Sequence, residues 1–484
     1  MKHLDLLLLD RAGGVTERIF DDLGLASLAR TVFAGEESSY KVLCSVLRYP
    51  IADAATLRER QDILRDFETY PSLADNIIRY CDRTAEWRLN VKQGVAPEYR
   101  LRQYLLHLLP LLDMVIEFPR HIVGRAYRSA TLSSFREVPG AMELRKEAEA
   151  LLQMVPVGSR EPEAGRHFRL TVESGEGYKL KTARLAASTA SPVVQYYDKK
   201  AKQAITICEE YVAFSEDYIL ENNVTEIRRA TILNLCSQIS AIHAAALSFF
   251  TELRVAASFY RAALKLKDHM TMKGLALCMP TVRDDRRDGI CATGVYDLGL
   301  AVESAHTVVA SDVDTSNGNI LLVTGMNHGG KTTFLRGVGI AQLLAQSGLF
   351  VPAETYVCPA FSGILTHFPT EEDDDLAYGK LAEELTRLRA DFHILRGGGL
   401  ALFNESFSTT TTHEGAAIGA EVLRAAGEGG SVCVFVTHLV ELAAAREKLP
   451  GAVSLVTERN AHGERTYRIV PGEPLTERYT AGLL

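Results

Sequence analysis

The spacing of apolar and polar positions predicts helices through the first half of the chain. From about Ser38 apolar residues recur every three or four positions, which is typical of one face of an amphipathic helix, and Pro50 ends the run. Residues 97–118 repeat this pattern. We therefore predict a helical domain that follows a short lead-in at residues 1–36, where the sequence indicates no clear chemistry.

The second helical feature is unusually long. Residues 193–273 contain neither proline nor glycine, so the stretch far exceeds the average helix of about 11–12 residues. It predicts very long helices or a tight helical pair. Asn223-Val224-Thr225-Glu226 has the form of a capping box and predicts that a new helix starts after a break at Asn222. Such helices serve as struts, arms or coiled coils, and a plain helical bundle is the alternative.

Residues 155–192 interrupt the helical pattern with several prolines and glycines. Apolar and polar residues then alternate near 168–172 and 178–181, which predicts a small β-hairpin between two helical segments. One face of this hairpin would carry His167, Arg169, Lys179 and Lys181. If the protein binds DNA, we expect Arg169, Lys179 and Lys181 to contact its phosphate backbone. A solvated hairpin face is the alternative.

From about residue 290 the pattern becomes that of an α/β domain. Short, continuous apolar runs alternate with helical patterns, which indicates strands of a buried parallel sheet. The clearest of these strands are Ile320-Leu321-Leu322-Val323, Leu400-Ala401-Leu402-Phe403 and Val432-Cys433-Val434-Phe435-Val436.

Composition and charge exclude several classes of protein. The hydrophobic fraction is 47% and the charged fraction 24%, as in ordinary globular proteins. The net charge of −8 excludes a basic nucleic-acid coat, so any DNA contact must come from a local basic patch. The eight cysteines form no C-x-x-C pair, and a reducing, cytoplasmic setting suits them. The apolar run Leu6-Leu7-Leu8-Leu9 is too short for a signal peptide or a membrane span, so we expect no membrane association.

The strongest chemical signal is a phosphate-binding loop. The pattern G-x-x-x-x-G-K-[ST] lies directly after one apolar strand and before a helical pattern, which is the context that its mechanism requires. Backbone N–H groups of such a loop surround the phosphates of ATP, the lysine reaches the β- and γ-phosphates, and the hydroxyl is a ligand of Mg²⁺. The residues expected to bind the nucleotide are Gly325, Asn327, Gly329, Gly330, Lys331, Thr332 and Thr333.

Two later strands end in polar residues that could complete the site. Asn404-Glu405 follows the second strand, where P-loop proteins hold Mg²⁺ and polarise the attacking water. We predict that Thr332 and Asn404 hold the metal and that Glu405 is the general base, although Asn404 is neutral and should attract Mg²⁺ less than a carboxylate. His438 follows the third strand and could sense the γ-phosphate. A loop start for Asn404-Glu405 and a helix cap for His438 are the alternatives.

These motifs together resemble the ATPase domain of the MutS DNA mismatch-repair family. The resemblance rests on five segments in the family's order, which are 324–336, Gly348-Leu349-Phe350-Val351-Pro352-Ala353, 374–379, Asn404-Glu405 with the following threonines, and Thr437-His438-Leu439-Val440-Glu441-Leu442. Residues 38–67 are similar to the start of that family's core domain, and the hairpin lies where the family inserts its DNA-gripping clamp. The mismatch-reading and connector domains and a C-terminal helix-turn-helix are expected to be missing.

The resemblance implies an α plus α/β protein with a long-helix core and lever domain at 37–273 and a P-loop ATPase domain of the ABC type at 274–484. The implied function is that of a DNA-associated ATPase of the mismatch-repair or recombination type. ATP and Mg²⁺ would bind between the ATPase domains of a homodimer and so move the lever helices, with Glu405, Lys331 and His438 as the catalytic residues. A nucleotide-gated protein scaffold that does not bind DNA, or a nearly inactive ATPase, remains the alternative.

Overall fold

The computed structural model describes most of the 484 residues. Outside the described residues lie 1–3, 10–13, 17, 90–95, 156–166, 175–179, 189–192, 199–202, 209–217, 306–307, 370–376 and 475–484. For the described strands and helix between 167 and 228, the description concerns the backbone.

The helices and strands have the following bounds, in chain order. The α-helices are α1 (Ile19–Asp22), α2 (Ala26–Arg30), α3 (Glu37–Leu47), α4 (Ala54–Thr69), α5 (Ser72–Asp82), α6 (Pro97–Glu117), α7 (Ala130–Ser134), α8 (Ala141–Met154), α9 (Tyr218–Met272), α10 (Leu298–Glu303), α11 (Lys331–Ala345), α12 (Ala377–Asp391), α13 (Thr412–Glu428) and α14 (Val440–Ala444). The strands are β1 (Gly14–Val15), β2 (His167–Ser174), β3 (Leu180–Ser188), β4 (Val193–Asp198), β5 (Gln203–Cys208), β6 (Thr281–Arg283), β7 (Cys291–Val295), β8 (Ser311–Asp314), β9 (Ile320–Thr324), β10 (Thr355–Pro359), β11 (Gly363–His367), β12 (Leu400–Asn404), β13 (Val432–Val436), β14 (Ala452–Arg459) and β15 (Arg465–Pro471).

The chain divides into two compact units. The first unit comprises Met1–Leu4, Asn76–Arg125 and Ser134–Arg254, and the second comprises Asp5–Asp75, Ala126–Ser133 and Val255–Leu484. The predicted fold class is confirmed, because a helical region with a long helix precedes mixed α/β sheets.

In the first unit, apolar faces of α6, α8 and α9 form one core. The spacing of the apolar residues on α6 follows the helical period, so that they lie on one stripe. The buried members of this core are Leu101, Leu105, Leu108, Leu112, Ala148, Val155, Ile232, Cys236 and Ile239.

The region between α8 and α9 contains more strand than the sequence predicts. Strands β2 and β3 form the expected antiparallel hairpin, but β4 and β5 form a second one, and the sheet order is β3-β2-β4-β5. Residues 193–208 are therefore partly strands, although they lack proline and glycine. The predicted break at Asn222 is also wrong, because α9 runs without interruption over 55 residues from Tyr218. A capping-box sequence starts a helix only where the preceding turn is not already helical.

Helix α9 passes the length and composition test for a membrane span. Within the described residues, Arg229–Met272 is the one segment that does so, and core helices of soluble proteins pass the same test. Phe249 and Phe250 pack against the ring of Phe118, with ring centroids 5.8 and 6.3 Å away. Further along the helix, Tyr260 stacks on Phe67 at 4.7 Å. These are the contacts of a core helix.

The second unit is built on a seven-stranded sheet with the order β1-β11-β12-β13-β9-β14-β15. All neighbouring strands are parallel except β14 and β15, which form an antiparallel pair at one edge. Every residue of β9, β11, β12 and β13 is buried, as expected for a parallel sheet covered on both faces. A smaller sheet, with the order β6-β10-β7-β8, accompanies it.

The N-terminal segment contributes to the large sheet. Strand β1 pairs with β11, and Thr16 and Thr366 share a hydrogen bond of 2.7 Å between their hydroxyls. The Thr366 hydroxyl also lies 2.7 Å from a carboxylate oxygen of Asp22, whose backbone carbonyl accepts a bond from Nε of Arg336 on α11 at 2.9 Å. Residues that the sequence indicates only as a lead-in thus contact the phosphate-loop helix. The domain boundaries stay a prediction.

Candidate functional site

The phosphate-binding loop joins β9 to α11. Its first and last glycines have φ angles of 138° at Gly325 and 95° at Gly330, which side-chain-bearing residues rarely adopt. Helix α11 begins at Lys331, so its first N–H groups lie at the end of this loop. The loop therefore has the backbone that an anion-binding site requires.

Lys331 lies at the centre of this loop. Its side chain is only 5% exposed, and Nζ donates to the carbonyl oxygens of Gly325 at 2.9 Å and Met326 at 3.2 Å. Within the described part of the chain, the nearest carboxylate oxygen belongs to Glu405, 3.8 Å away. Burial lowers the pKa of Lys331, and the charge of Glu405 partly opposes that shift. A partly desolvated ammonium group attracts a phosphate oxygen more strongly than an exposed one.

Thr332 and Asn404 bring two oxygens together beside Lys331. The Thr332 hydroxyl donates to Oδ1 of Asn404 at 3.0 Å, and Asn404 is buried at the end of β12. Hydroxyl and amide oxygens are hard donors of the kind that Mg²⁺ accepts, together with phosphate oxygens and water. This donor pair fits a magnesium ion that is held mainly by the nucleotide.

Glu405 and His438 meet although they are 33 residues apart in the chain. Nδ1 of His438 contacts Oε2 of Glu405, and the other carboxylate oxygen faces Lys331. The Glu405 N–H donates to the carbonyl oxygen of Val436 at 2.9 Å, which joins the ends of β12 and β13. The predicted base and the predicted γ-phosphate sensor are thus direct neighbours.

The other predicted nucleotide ligands lie on the same loop or on the first turn of α11. Asn327 is exposed, Thr333 is half-buried, and Gly329 is buried. A Cβ atom on Gly329 would lie 2.7 Å from Cγ2 of Thr457, so a side chain there would collide with β14. The site assignments stay predictions, although the fold brings Lys331, Glu405 after β12 and His438 after β13 to one edge of the sheet.

Sequence reasoning missed the approach of the edge hairpin, formed by β14 and β15, to the phosphate loop. A Cβ atom on Gly330 would lie 2.9 Å from the carbonyl oxygen of Tyr467 on β15. Tyr467 has a φ of 62° and is 52% exposed, so the backbone of an exposed aromatic residue borders the loop. In the sequence, the only indication was an aromatic residue, Tyr467, among polar residues of a short strand. The sequence cannot indicate which loop this residue lies beside in the fold.

The proposed DNA contacts belong to the first unit, whereas the nucleotide-binding residues belong to the second. Arg169 lies in β2, where its backbone pairs with that of Ala186, and Lys181 lies in β3. Lys179 lies outside the described residues. Contact of these three residues with DNA stays a prediction.

Comparison with known proteins identifies one domain in the second half of the chain. The family MutS domain V matches residues 321–471. The chain is 28% identical over 270 residues to the DNA mismatch repair protein MutS of Bacillus subtilis. This match covers 51% of this chain and 29% of that protein. It is 29% identical over 207 residues to the DNA mismatch repair protein MutS of Lactobacillus helveticus, and the match covers 42% of this chain and 24% of that protein.

The endonuclease MutS2 of Ligilactobacillus salivarius is 33% identical over 159 residues, which is 32% of this chain and 20% of the relative. The matched part is thus less than a third of each of these relatives. Residues 321–471 contain the phosphate loop, Asn404-Glu405, His438 and Tyr467. These residues form a domain of the MutS domain V family, an ABC-type ATPase domain, and the chain is a distant homologue of MutS and MutS2 over part of its length.

Proposed function

We propose that this protein binds ATP with Mg²⁺ and hydrolyses it slowly, as a DNA-associated homodimer. One observation carries the enzymatic part of this proposal. The side chains of Lys331, Thr332, Asn404, Glu405 and His438, which come from three parts of the sequence, converge at the carboxyl edge of a parallel sheet. Ligands of open α/β sheets bind at that edge.

The loop and Lys331 would bind the phosphates. Backbone N–H groups at the start of α11 would donate to the phosphate oxygens, and the Lys331 ammonium would exchange its contacts with the loop carbonyls for contacts with the β- and γ-phosphates. The backbone of Tyr467 lies beside the loop, and we propose that its half-exposed ring stacks on the base. These contacts would hold ATP in a fixed orientation.

Glu405 is the best candidate for the general base. A water molecule would attack the γ-phosphorus atom, its proton would pass to the Glu405 carboxylate, and the bond to the β–γ bridging oxygen would break, which yields ADP and phosphate. The bond from His438 to Oε2 would orient that carboxylate. The second oxygen lies 3.8 Å from Nζ of Lys331, so the base stands next to the phosphate-binding group.

Thr332 and Asn404 would hold Mg²⁺, which would offset the negative charge of the phosphates when bound. Asn404 contributes no formal charge, unlike an aspartate. We therefore expect weaker metal binding and slower turnover than a carboxylate at that position would support.

The association with DNA, the dimer and the cytoplasmic location rest on the relatives and on composition. Among the matched relatives, one is named a DNA mismatch repair protein and another an endonuclease. A homodimer formed through the ATPase domains would match the family's usual arrangement. Alternating basic residues in the hairpin formed by β2 and β3 support a local phosphate contact in a chain whose net charge is −8.

The experiment that tests the nucleotide site compares Lys331→Ala and Glu405→Gln. We expect Lys331→Ala to weaken ATP binding at least about tenfold, because it removes the cation of the loop. Glu405→Gln should keep ATP binding while turnover falls by roughly 10²–10⁴. Fluorescent-nucleotide titration and phosphate release measure the two effects. Unchanged ATP binding in Lys331→Ala would contradict the assignment of the nucleotide site. Parental turnover in Glu405→Gln would contradict the assignment of Glu405 as the general base.

The DNA part needs a separate test. Duplex, mismatched, single-stranded and branched DNA would be titrated with the protein at several salt concentrations, with and without ATP. Salt-dependent binding supports the proposal. Absence of DNA binding, with ATP-driven dimerisation intact, would instead support a nucleotide-gated scaffold for protein partners.

A further inference from the structure

The loop that carries Glu405 has an unusual backbone. Glu405 has a φ of 51° and Phe407 a φ of 63°, so two residues with side chains occupy the left-handed region within three positions. That region costs free energy for any residue except glycine, and the cost is borne only where surrounding contacts enforce the conformation. Phe407 is fully buried, so its conformation is set by the interior of the second unit.

Glu384 on α12 binds this loop directly. Its Oε1 accepts the backbone N–H of Phe407 at 2.9 Å, and its Oε2 lies 3.4 Å from the hydroxyl of Thr409, which donates to it. The Glu384 side chain is only 12% exposed. A carboxylate that accepts a backbone N–H forms a charge-assisted bond, which is stronger than a bond between neutral groups.

His367, the last residue of β11, contacts the same loop from the neighbouring strand. Its Nδ1 lies 2.8 Å from the Ser406 hydroxyl, which in turn donates to the backbone carbonyl of His367 at 3.0 Å. The imidazole also stacks on the ring of Phe407, with centroids 5.7 Å apart. Ser406 and Phe407, the two residues after the proposed base, are therefore both held by one histidine.

The partners of the imidazole define its proton arrangement. Arg387 lies on the same helix as Glu384, and its Nη2 is 3.5 Å from Nε2 of His367 while it donates to the carbonyl of Phe368 at 3.1 Å. Since a guanidinium can only donate, Nε2 is the acceptor and Nδ1 carries the proton. Nδ1–H then donates to Ser406. Burial, and next Arg387, lower the pKa of His367 to about 4, so the ring is neutral near pH 7.

We propose that Glu384 and His367 are positioning residues for ATP hydrolysis, which hold the loop after β12 in the left-handed conformation that presents the Glu405 carboxylate beside Lys331. Neither residue is assigned a contact with the nucleotide. Glu384 acts through the N–H of Phe407, and His367 acts through Ser406 and the ring of Phe407. This inference rests on the proposed function, because it presumes that Glu405 is the base.

The test measures turnover and nucleotide affinity separately in the full-length protein. Glu384→Ala removes the acceptor of the Phe407 N–H, and we expect kcat to fall at least about tenfold while the ATP dissociation constant changes less than about twofold. Glu384→Gln keeps an oxygen acceptor and should recover most of that loss. Glu383→Ala is the matched control, since Glu383 is an exposed carboxylate on the same helix, and it should retain the parental kcat.

A second variant decides the matter if Glu384→Ala does not fold. Ser406→Ala removes only the hydroxyl that His367 contacts, and we expect a fall in kcat of about three- to tenfold with unchanged ATP affinity. Circular dichroism checks the fold of each variant. Parental kcat in both Ser406→Ala and every folded Glu384 variant would overturn the inference.

The two proposals can fail separately. If Glu405→Gln retains parental turnover, the assignment of the base is wrong, and the positioning role is lost with it. If Glu405→Gln abolishes turnover while Glu384→Ala and Ser406→Ala do not change kcat, the base assignment stands and only the positioning role is wrong. An equal loss of kcat and of ATP affinity in Glu384→Ala would indicate general damage to the site, which also contradicts the inference.

Discussion

His367 should make the stability of the second unit depend on pH. Its side chain is 2% exposed, and burial, followed by the charge of Arg387, lowers its pKa to about 4, while Glu384 acts in the opposite direction. An unfolded chain would expose this histidine to water, where its pKa is about 6.5. Between these two values the unfolded chain binds a proton that the folded protein excludes.

The sign and size follow from that difference. Because the folded pKa is depressed, protonation favours unfolding, so the free energy of unfolding falls as the pH decreases from about 6.5 towards about 4. The difference between a pKa of about 6.5 in the unfolded chain and about 4 in the folded protein corresponds to about 3 kcal/mol in the free energy of unfolding. About 2 kcal/mol of this stability is lost between pH 7 and pH 5. Above about pH 7 the histidine is neutral in both forms and contributes no pH dependence.

Urea unfolding followed by circular dichroism at pH 7, 6 and 5 measures this effect. His367→Asn lacks the titrating group, so its free energy of unfolding should fall by about 2 kcal/mol less than that of the parent over the same range. His413→Asn is the control, because His413 has an 89% exposed side chain at the surface. Other groups titrate alike in all three proteins and cancel in the comparison. Equal pH dependence in the parent and His367→Asn would refute this reasoning.

Three further changes test the nucleotide and DNA sites. Asn404→Asp adds a negative charge beside the Thr332 hydroxyl, and we expect equal or faster ATP hydrolysis at saturating Mg²⁺ in a phosphate-release assay; a clear loss of rate would contradict the metal assignment. Tyr467→Ala should weaken ATP binding about five- to thirtyfold, whereas Tyr467→Phe should keep the parental ATP affinity, because stacking on the base requires only the ring. Inorganic tripolyphosphate has no base, so Tyr467→Ala should bind it as tightly as the parent does. The triple change Arg169→Ala, Lys179→Ala and Lys181→Ala should reduce the slope of log DNA affinity against log salt concentration by about 2–3. It should leave the ATPase activity without DNA unchanged. A parental slope would exclude the hairpin as a DNA contact.

Local sequence was sufficient for the phosphate loop and its flanking elements. The glycines, Lys331 and Thr332 act through backbone geometry that depends on near neighbours, and an apolar run before them with a helical pattern after them specifies the strand and the helix. The family could be predicted for the same reason, since its motifs are short and follow in order.

Where local preference was weak, the sequence was misleading. The absence of proline and glycine predicted helix at Val193–Asp198 and Gln203–Cys208, which instead form β4 and β5. The capping box predicted a break near Asn222, yet α9 continues through it. Propensity and capping are worth about 1 kcal/mol per residue or less, and pairing and packing over many residues outweigh them.

Only the tertiary structure decided which polar side chains meet. Glu405 contacts His438 because β12 lies next to β13 in the sheet, and the contact between the Ser406 hydroxyl and His367 arises because β11 is the other neighbour of β12. Tyr467 borders the phosphate loop because the edge hairpin follows β9. Strand order is set by pairings between distant segments, whose free energy depends on the whole packed sheet, so no local pattern around Glu405 could indicate its neighbours.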